Sequence, residues 1–179
     1  MLCQTLALKY KLIAKNLFLK YALPCLHNKV EKGEMTENEF KEIIERFKQG
    51  KITDEEINEW FPVAVPNVVT EAINQRKEKE GIAEVDEDIV RGYFWYSHDQ
   101  VVKQRKHQGK VELCLVLPAK IDKIKGPKAK VTHPFGDRIV DTSLLENPRE
   151  GDHITIHYYF GCEKINKEEA MQLWKKKLS

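Results

Sequence analysis

Cysteine is scarce and poorly spaced: Cys3, Cys25, Cys114 and Cys162 are scattered over 179 residues without a Cys-x-x-Cys pair. That spacing argues against a zinc ribbon or a disulfide framework. A dominant sign of charge is also lacking, since 30 Lys and Arg against 28 Asp and Glu leave a formal net charge of +2. A histone-like or generally nucleic-acid-coating chain would carry a large positive excess. No long uncharged run is present. The most apolar stretch, Met1 to Leu23, is interrupted by Lys9, Lys11, Lys15 and Lys20, so it fits neither a membrane helix nor a signal peptide. A phosphate-binding glycine loop, a nucleophile elbow and a paired-carboxylate motif are all missing. What remains is 41% hydrophobic residues with seven Phe, six Tyr and three Trp, enough apolar surface for a folded chain in a reducing cytoplasm.

Hydrophobic periodicity organises the first half as helices. Leu6, Tyr10, Ile13, Leu17 and Tyr21 recur at three- and four-residue steps, which predicts a helix over 2–23, ended by Pro24 and followed by a Pro-Cys-Leu-His turn at 24–27. Thr36 with Glu39, and Thr53 with Glu56, are capping-box pairs. They predict one helix burying Phe40, Ile43, Ile44 and Phe47 up to Gly50, and a short one burying Ile57, Trp60 and Phe61 up to Pro62. The intervening GKITDEEI segment lacks the alternating carboxylates of a calcium loop. Pro66 opens a further helix through Ile73 that turns polar over QRKEKE and stops at Gly81. Another is expected from Asp86 to about Lys106, with His98 and Asp99 as surface polar residues. KQRKHQGK, residues 103–110, reads as an exposed basic junction.

After this junction the period shortens to two. Val111, Leu113, Leu115 and Leu117 alternate, and short extended segments follow at 129–132, 137–142 and 153–160, separated by turns at Gly126, Gly136 and Gly151. Closing such strands on themselves removes exposed edges. Asn166 with Glu169 then caps a helix carrying Ala170, Leu173 and Trp174. The expected fold class is α+β: a helical N-terminal domain (1–108), then a small OB-like antiparallel β-barrel with a C-terminal helix (109–179).

The segments CLVLPAKIDKIKGPKAKV from Cys114, GDRIVDTSLL from Gly136 and GDHITIHYYFGCEKINKEEAMQLW from Gly151 resemble the HypC/HupF-type chaperones of nickel-iron hydrogenase maturation. The resemblance covers about residues 114–179 and does not extend to 1–110. It implies an OB-like barrel that is not an enzyme. The implied partners are a HypD-like iron-sulfur protein and a hydrogenase large-subunit precursor. No permanently bound cofactor is implied, only transient carriage of an Fe(CN)2CO unit. Residue by residue, Cys114 matches the cysteine proposed to ligate that iron, His157 the histidine ending a strand, and Pro118 the proline shaping the exit of the first strand. Gly151 and Asp152 match a hairpin turn. In the family the cysteine directly follows the initiator methionine, whereas Cys114 is preceded by 113 residues. A thiolate is a strong ligand for low-spin iron, and a neighbouring imidazole can orient it.

Taken singly, a strand cysteine is a small buried hydrophobe and a strand histidine a satisfied polar residue; the order of the motifs is what marks them. Two further readings stay open. Lys120, Lys123, Lys125, Lys128 and Lys130 with Tyr158, Tyr159 and Phe160 fit a single-strand nucleic-acid module. Cys114, Cys162, His133, His153 and His157 are the available ligands for a metal-dependent enzyme, although their spacing matches no compact zinc signature.

Overall fold

The computed structural model describes residues 9–104 and 111–179. A short strand β1 (Tyr10–Leu12) leads into α1 (Lys15–Glu31), α2 (Glu37–Lys48), α3 (Asp54–Trp60) and α4 (Ala64–Asn74). The hairpin β2 (Glu78–Lys79) and β3 (Ile82–Val85) follows, then α5 (Glu87–Gly92), a π-helical segment at Tyr93–Ser97, α6 (His98–Gln104) and a single turn α7 (Val111–Cys114). The second half is β4 (Leu117–Lys125), β5 (Lys128–His133), β6 (Gly136–Asp141), β7 (His153–His157), β8 (Phe160–Ile165) and α8 (Lys167–Leu178). The fold is α+β as expected. Among the described residues no helix is long and apolar enough to cross a membrane.

The capping boxes act as their spacing requires. Thr36, Thr53 and Asn166 each accept from the backbone N–H of the glutamate three residues on, and that carboxylate accepts from the cap's own N–H. Elsewhere tertiary contacts override the local signals. Tyr10 to Leu12 form a strand, parallel to β3, and α1 runs straight through Pro24; residues 2–8 of the expected helix lie outside the described residues. An interior proline costs ~3 kcal/mol. Phe18, Leu23 and Leu26 are almost fully buried on the same helix, and each contributes roughly 1.5–3 kcal/mol, so the helix continues. The polar tail expected after Ile73 is likewise absent. The helix ends at Asn74, and Glu80 and Gly81, with φ of 54° and 75°, make the tight turn of the β2–β3 hairpin. Ala83 and Val85 are buried by this reversal.

The five later strands close into a barrel in the order β4-β5-β6-β8-β7. All pairings are antiparallel except β6 with β8, which run parallel at Asp141 and Phe160. This is the five-stranded OB-like arrangement. Leu117, Ala119, Ile121, Val131, Ile154 and Ile156 fill its interior, at the two-residue period that points alternate side chains inward. Val111 to Cys114 do not extend the first strand as expected; they form a helical turn ahead of it. His153 to Phe160, expected as one segment, divides at Tyr158, whose φ is 51°. A Cβ on Gly161 would lie 2.7 Å from Leu145 Cδ1 and 3.3 Å from Ile154 Cδ1. Gly161→Ala is therefore expected to lower stability by about 1–2 kcal/mol through overpacking; an unchanged urea midpoint would show that Leu145 moves aside freely.

One hydrophobic cluster runs from α1 to the barrel wall, joining Phe18, Tyr21 and Leu23 to Leu144, Phe160, Cys162 and Leu173. Polar side chains stitch the same seam. The Tyr21 hydroxyl donates to Glu163 (2.6 Å), accepts from the Trp95 indole (2.7 Å), and has Thr155 at 2.9 Å. Two guanidinium nitrogens of Arg91 donate to the other oxygen of Glu163 at 3.0 and 2.6 Å. Lys177 of α8 pairs with Asp99 at 2.6 Å and donates to the Trp95 carbonyl at 2.7 Å. Asp99, expected at the surface, is thus tied into the core packing.

Candidate functional site

His157 ends β7 and is fully buried. Its Nδ1 lies 2.8 Å from the carbonyl oxygen of Tyr21. A carbonyl can only accept, so Nδ1 carries the proton and Nε2 keeps its lone pair. Burial lowers the imidazole pKa to about 4, with the Tyr21 and Cys114 carbonyls offsetting part of that effect. The ring is neutral at ordinary pH.

Cys114 closes the α7 turn, and its thiol donates to the Tyr158 hydroxyl at 2.9 Å. Burial raises the pKa of both groups, so both stay protonated at neutral pH. Tyr158 takes its positive φ at the β7–β8 turn, where its backbone N–H donates to the Leu113 carbonyl (2.8 Å) and its carbonyl accepts from Arg138 (2.9 Å). The turn therefore holds α7 against the end of β7.

A cavity of about 210 Å³ is lined by Cys114, His157 and Tyr158 from the barrel side, and by Cys25, Phe61, Phe94 and His98 from the helical side. Cys25 stands 3.7 Å from His157 Nε2, and the His98 and His157 rings meet edge to face at 5.2 Å. The structure thus brings two of the expected residues, Cys114 and His157, to one cavity. Pro118 does not line it; it sits buried in β4 opposite Thr155. Gly151, with φ of 90°, and Asp152 form the expected turn, stitched to both backbone groups of Ile121.

The other expected ligands go elsewhere. Cys162 is in the core, His133 is buried beside Phe135, and His153 faces a groove against α8. Cys25 and His98 take their places, and sequence reasoning missed both. Cys25 follows Tyr21 by four residues and His98 follows Phe94 by four. Each therefore extends an apolar stripe already visible in the sequence, but Pro24 and the clustered aromatics concealed the continuation. The nucleic-acid reading loses its stacking platform, because Tyr158 and Phe160 are buried. Of its lysines, Lys130 is paired with Asp137 at 2.8 Å. Residues 105–110 of the basic junction lie outside the described residues.

A second concavity, about 580 Å³, lies between β4 and α8 and is lined by Ala119, Lys120, His153, Met171, Trp174 and Leu178. Met171 and Leu178 are mostly exposed there. Another groove, about 790 Å³ between α2 and β6, has no thiol in its lining.

The barrel, its C-terminal helix and the thiol-and-imidazole cavity define a small OB-like protein with an appended helical region. Residues 113–176 match the family model described as the HupF/HypC family. The hydrogenase maturation factor HypC of Rhizobium leguminosarum bv. viciae is 32% identical over 59 residues, covering 32% of this chain and 79% of that relative. The chain belongs to the HupF/HypC family. Cys25 and His98 fall outside the matched residues.

Proposed function

We propose that this protein is a HypC-type accessory factor of hydrogenase maturation, acting by binding and not by catalytic turnover. Its partners on this reading are a HypD-like iron-sulfur protein and a hydrogenase large-subunit precursor, and its cargo is an Fe(CN)2CO unit. The observation that carries the reading is that Cys114 and His157, distant in sequence, line one cavity in a chain of this family. Cargo binding requires the Cys114 thiol to leave Tyr158 and lose its proton, because a thiolate is the ligand. His157 is already neutral, and Pro118 would shape the strand leading away from Cys114. The exposed Met171 and Leu178 beside β4 supply an apolar docking surface.

Anaerobic affinity capture from the native host, with partners identified by mass spectrometry, tests this. The full chain is expected to recover a HypD-like protein or a hydrogenase large subunit. Cys114→Ala should deplete the partner that exchanges iron, and Met171→Asp should weaken docking without touching the cavity. Recovery by wild type and Cys114→Ala alike would mean docking without iron on Cys114. Absence of both partners from every sample would end the maturation reading.

A further inference from the structure

Cys25 from α1, His98 from the start of α6 and His157 from the end of β7 each present one ligand atom, all within 4.8 Å of one another. Among the described residues no other group of three such side chains converges. From this geometry we propose that Cys25, His98 and His157 form a three-ligand seat for a zinc-class divalent cation, with the adjoining cavity supplying an open fourth position.

Four observations support the seat. A tetrahedral ion with metal–sulfur about 2.3 Å and metal–nitrogen about 2.0–2.1 Å sets sulfur and nitrogen about 3.6 Å apart; Cys25 Sγ lies 3.7 Å from His157 Nε2 and 4.0 Å from Nδ1, so the separation suits an ion but the thiol, now beside the ring, must swing toward the Nε2 lone pair to share it. The Tyr21 carbonyl holds the His157 proton on Nδ1, which fixes the tautomer and leaves the lone pair on Nε2, as partners of metal-bound histidines do. His98 directly follows the π-helical segment Tyr93–Ser97, an insertion frequent at functional sites, and here a polar ring is delivered into an otherwise aromatic wall. Finally, one thiolate with two imidazoles is a donor set suited to zinc, cobalt(II) or iron(II), and three protein ligands leave a coordination position for water or a small anion. Binding releases the Cys25 proton to solvent and needs no oxidant. The seat shares His157 with the proposed cargo site but takes its sulfur from Cys25, and it rests on this geometry independently of the maturation reading.

The test uses the full purified chain, reduced and stripped with chelator, titrated with cobalt(II) and then zinc. One equivalent of cobalt is expected to produce a thiolate-to-metal charge-transfer band and intense tetrahedral ligand-field bands, both removed by one equivalent of zinc. Cys25→Ser should abolish the charge-transfer band, His98→Asn should weaken binding at least about tenfold, and Cys114→Ser should leave the band intact. Circular dichroism establishes that each variant is folded, and His98→Asn tests the seat from a separate element should Cys25→Ser not fold. No band in the wild type, a band surviving Cys25→Ser, or a band lost in Cys114→Ser overturns the seat. The titration needs no partner, so its failure is distinct from failure of the capture experiment.

Discussion

Arg91→Ala is expected to destabilise the protein by about 3 kcal/mol, the lower end for breaking a buried ion pair because Arg91 keeps some solvent contact. Glu163, whose side chain is 11% exposed, would lose both guanidinium donors and keep only the Tyr21 hydroxyl. That hydroxyl remains a donor, since its pKa is raised well above the usual value by burial and then by Glu163 itself. By contrast the Lys15–Asp54 pair lies in solvent, with Asp54 66% exposed, and Lys15→Ala should cost less than about 1 kcal/mol. Urea unfolding followed by both circular dichroism and tryptophan fluorescence checks the difference. Coincident transitions are expected, because one core spans α1 and the barrel wall. A loss for Arg91→Ala no larger than that for Lys15→Ala would mean that water, not arginine, satisfies Glu163. The same network seats α1 on β7 and β8, so it is also what keeps Cys25 beside His157.

Acidification should destabilise the metal-free chain already above the pH range in which its carboxylates titrate. His157 takes a proton near 6.5 when unfolded but only at about 4 when folded, so between those values the unfolded state binds more protons and stability falls as pH falls. At about 1.4 kcal/mol per pKa unit the loss from pH 7 to pH 4 is about 3 kcal/mol. Burial is the main cause. Cys25, His98, Cys114 and Tyr158 face the ring across the cavity without a carboxylate among them, and Lys177 and Arg138 further disfavour a second positive charge. His133 acts with the same sign: burial lowers it to about 4, and its Nδ1 accepts the Phe135 N–H at 3.3 Å. His157→Asn keeps a donor for the Tyr21 carbonyl and removes the titration, so its stability should depend on pH less steeply by up to one proton between pH 6.5 and 4. Parallel profiles for the two proteins, measured in chelator, would show that the folded His157 is protonated far above 4.

The chain's family lies in its barrel half, while the features that distinguish its cavity come from the half outside the family match. In a HypC-type reading the thiol is Cys114; in this chain a second thiol, Cys25, stands 3.7 Å from the strand histidine. The two cysteines reach the cavity from different elements, α1 and α7, which is why Cys25→Ser and Cys114→Ser separate their roles.

The features legible from sequence were those decided by neighbouring residues. Thr36, Thr53 and Asn166 cap helices because each partner glutamate is three residues away, and Leu117, Val131 and Ile154 enter the barrel because a strand alternates its faces every residue. Only tertiary structure decided the course of α1 through Pro24, the strand at 82–85 and the inward turn of His98. In each case burial against a distant segment outweighs a local preference of a few kcal/mol. The cavity belongs to this second class. Its thiols and imidazoles come from positions 25, 98, 114 and 157, a proximity that exists once the α1 face carrying Tyr21 has packed against the barrel and that no spacing along the chain encodes.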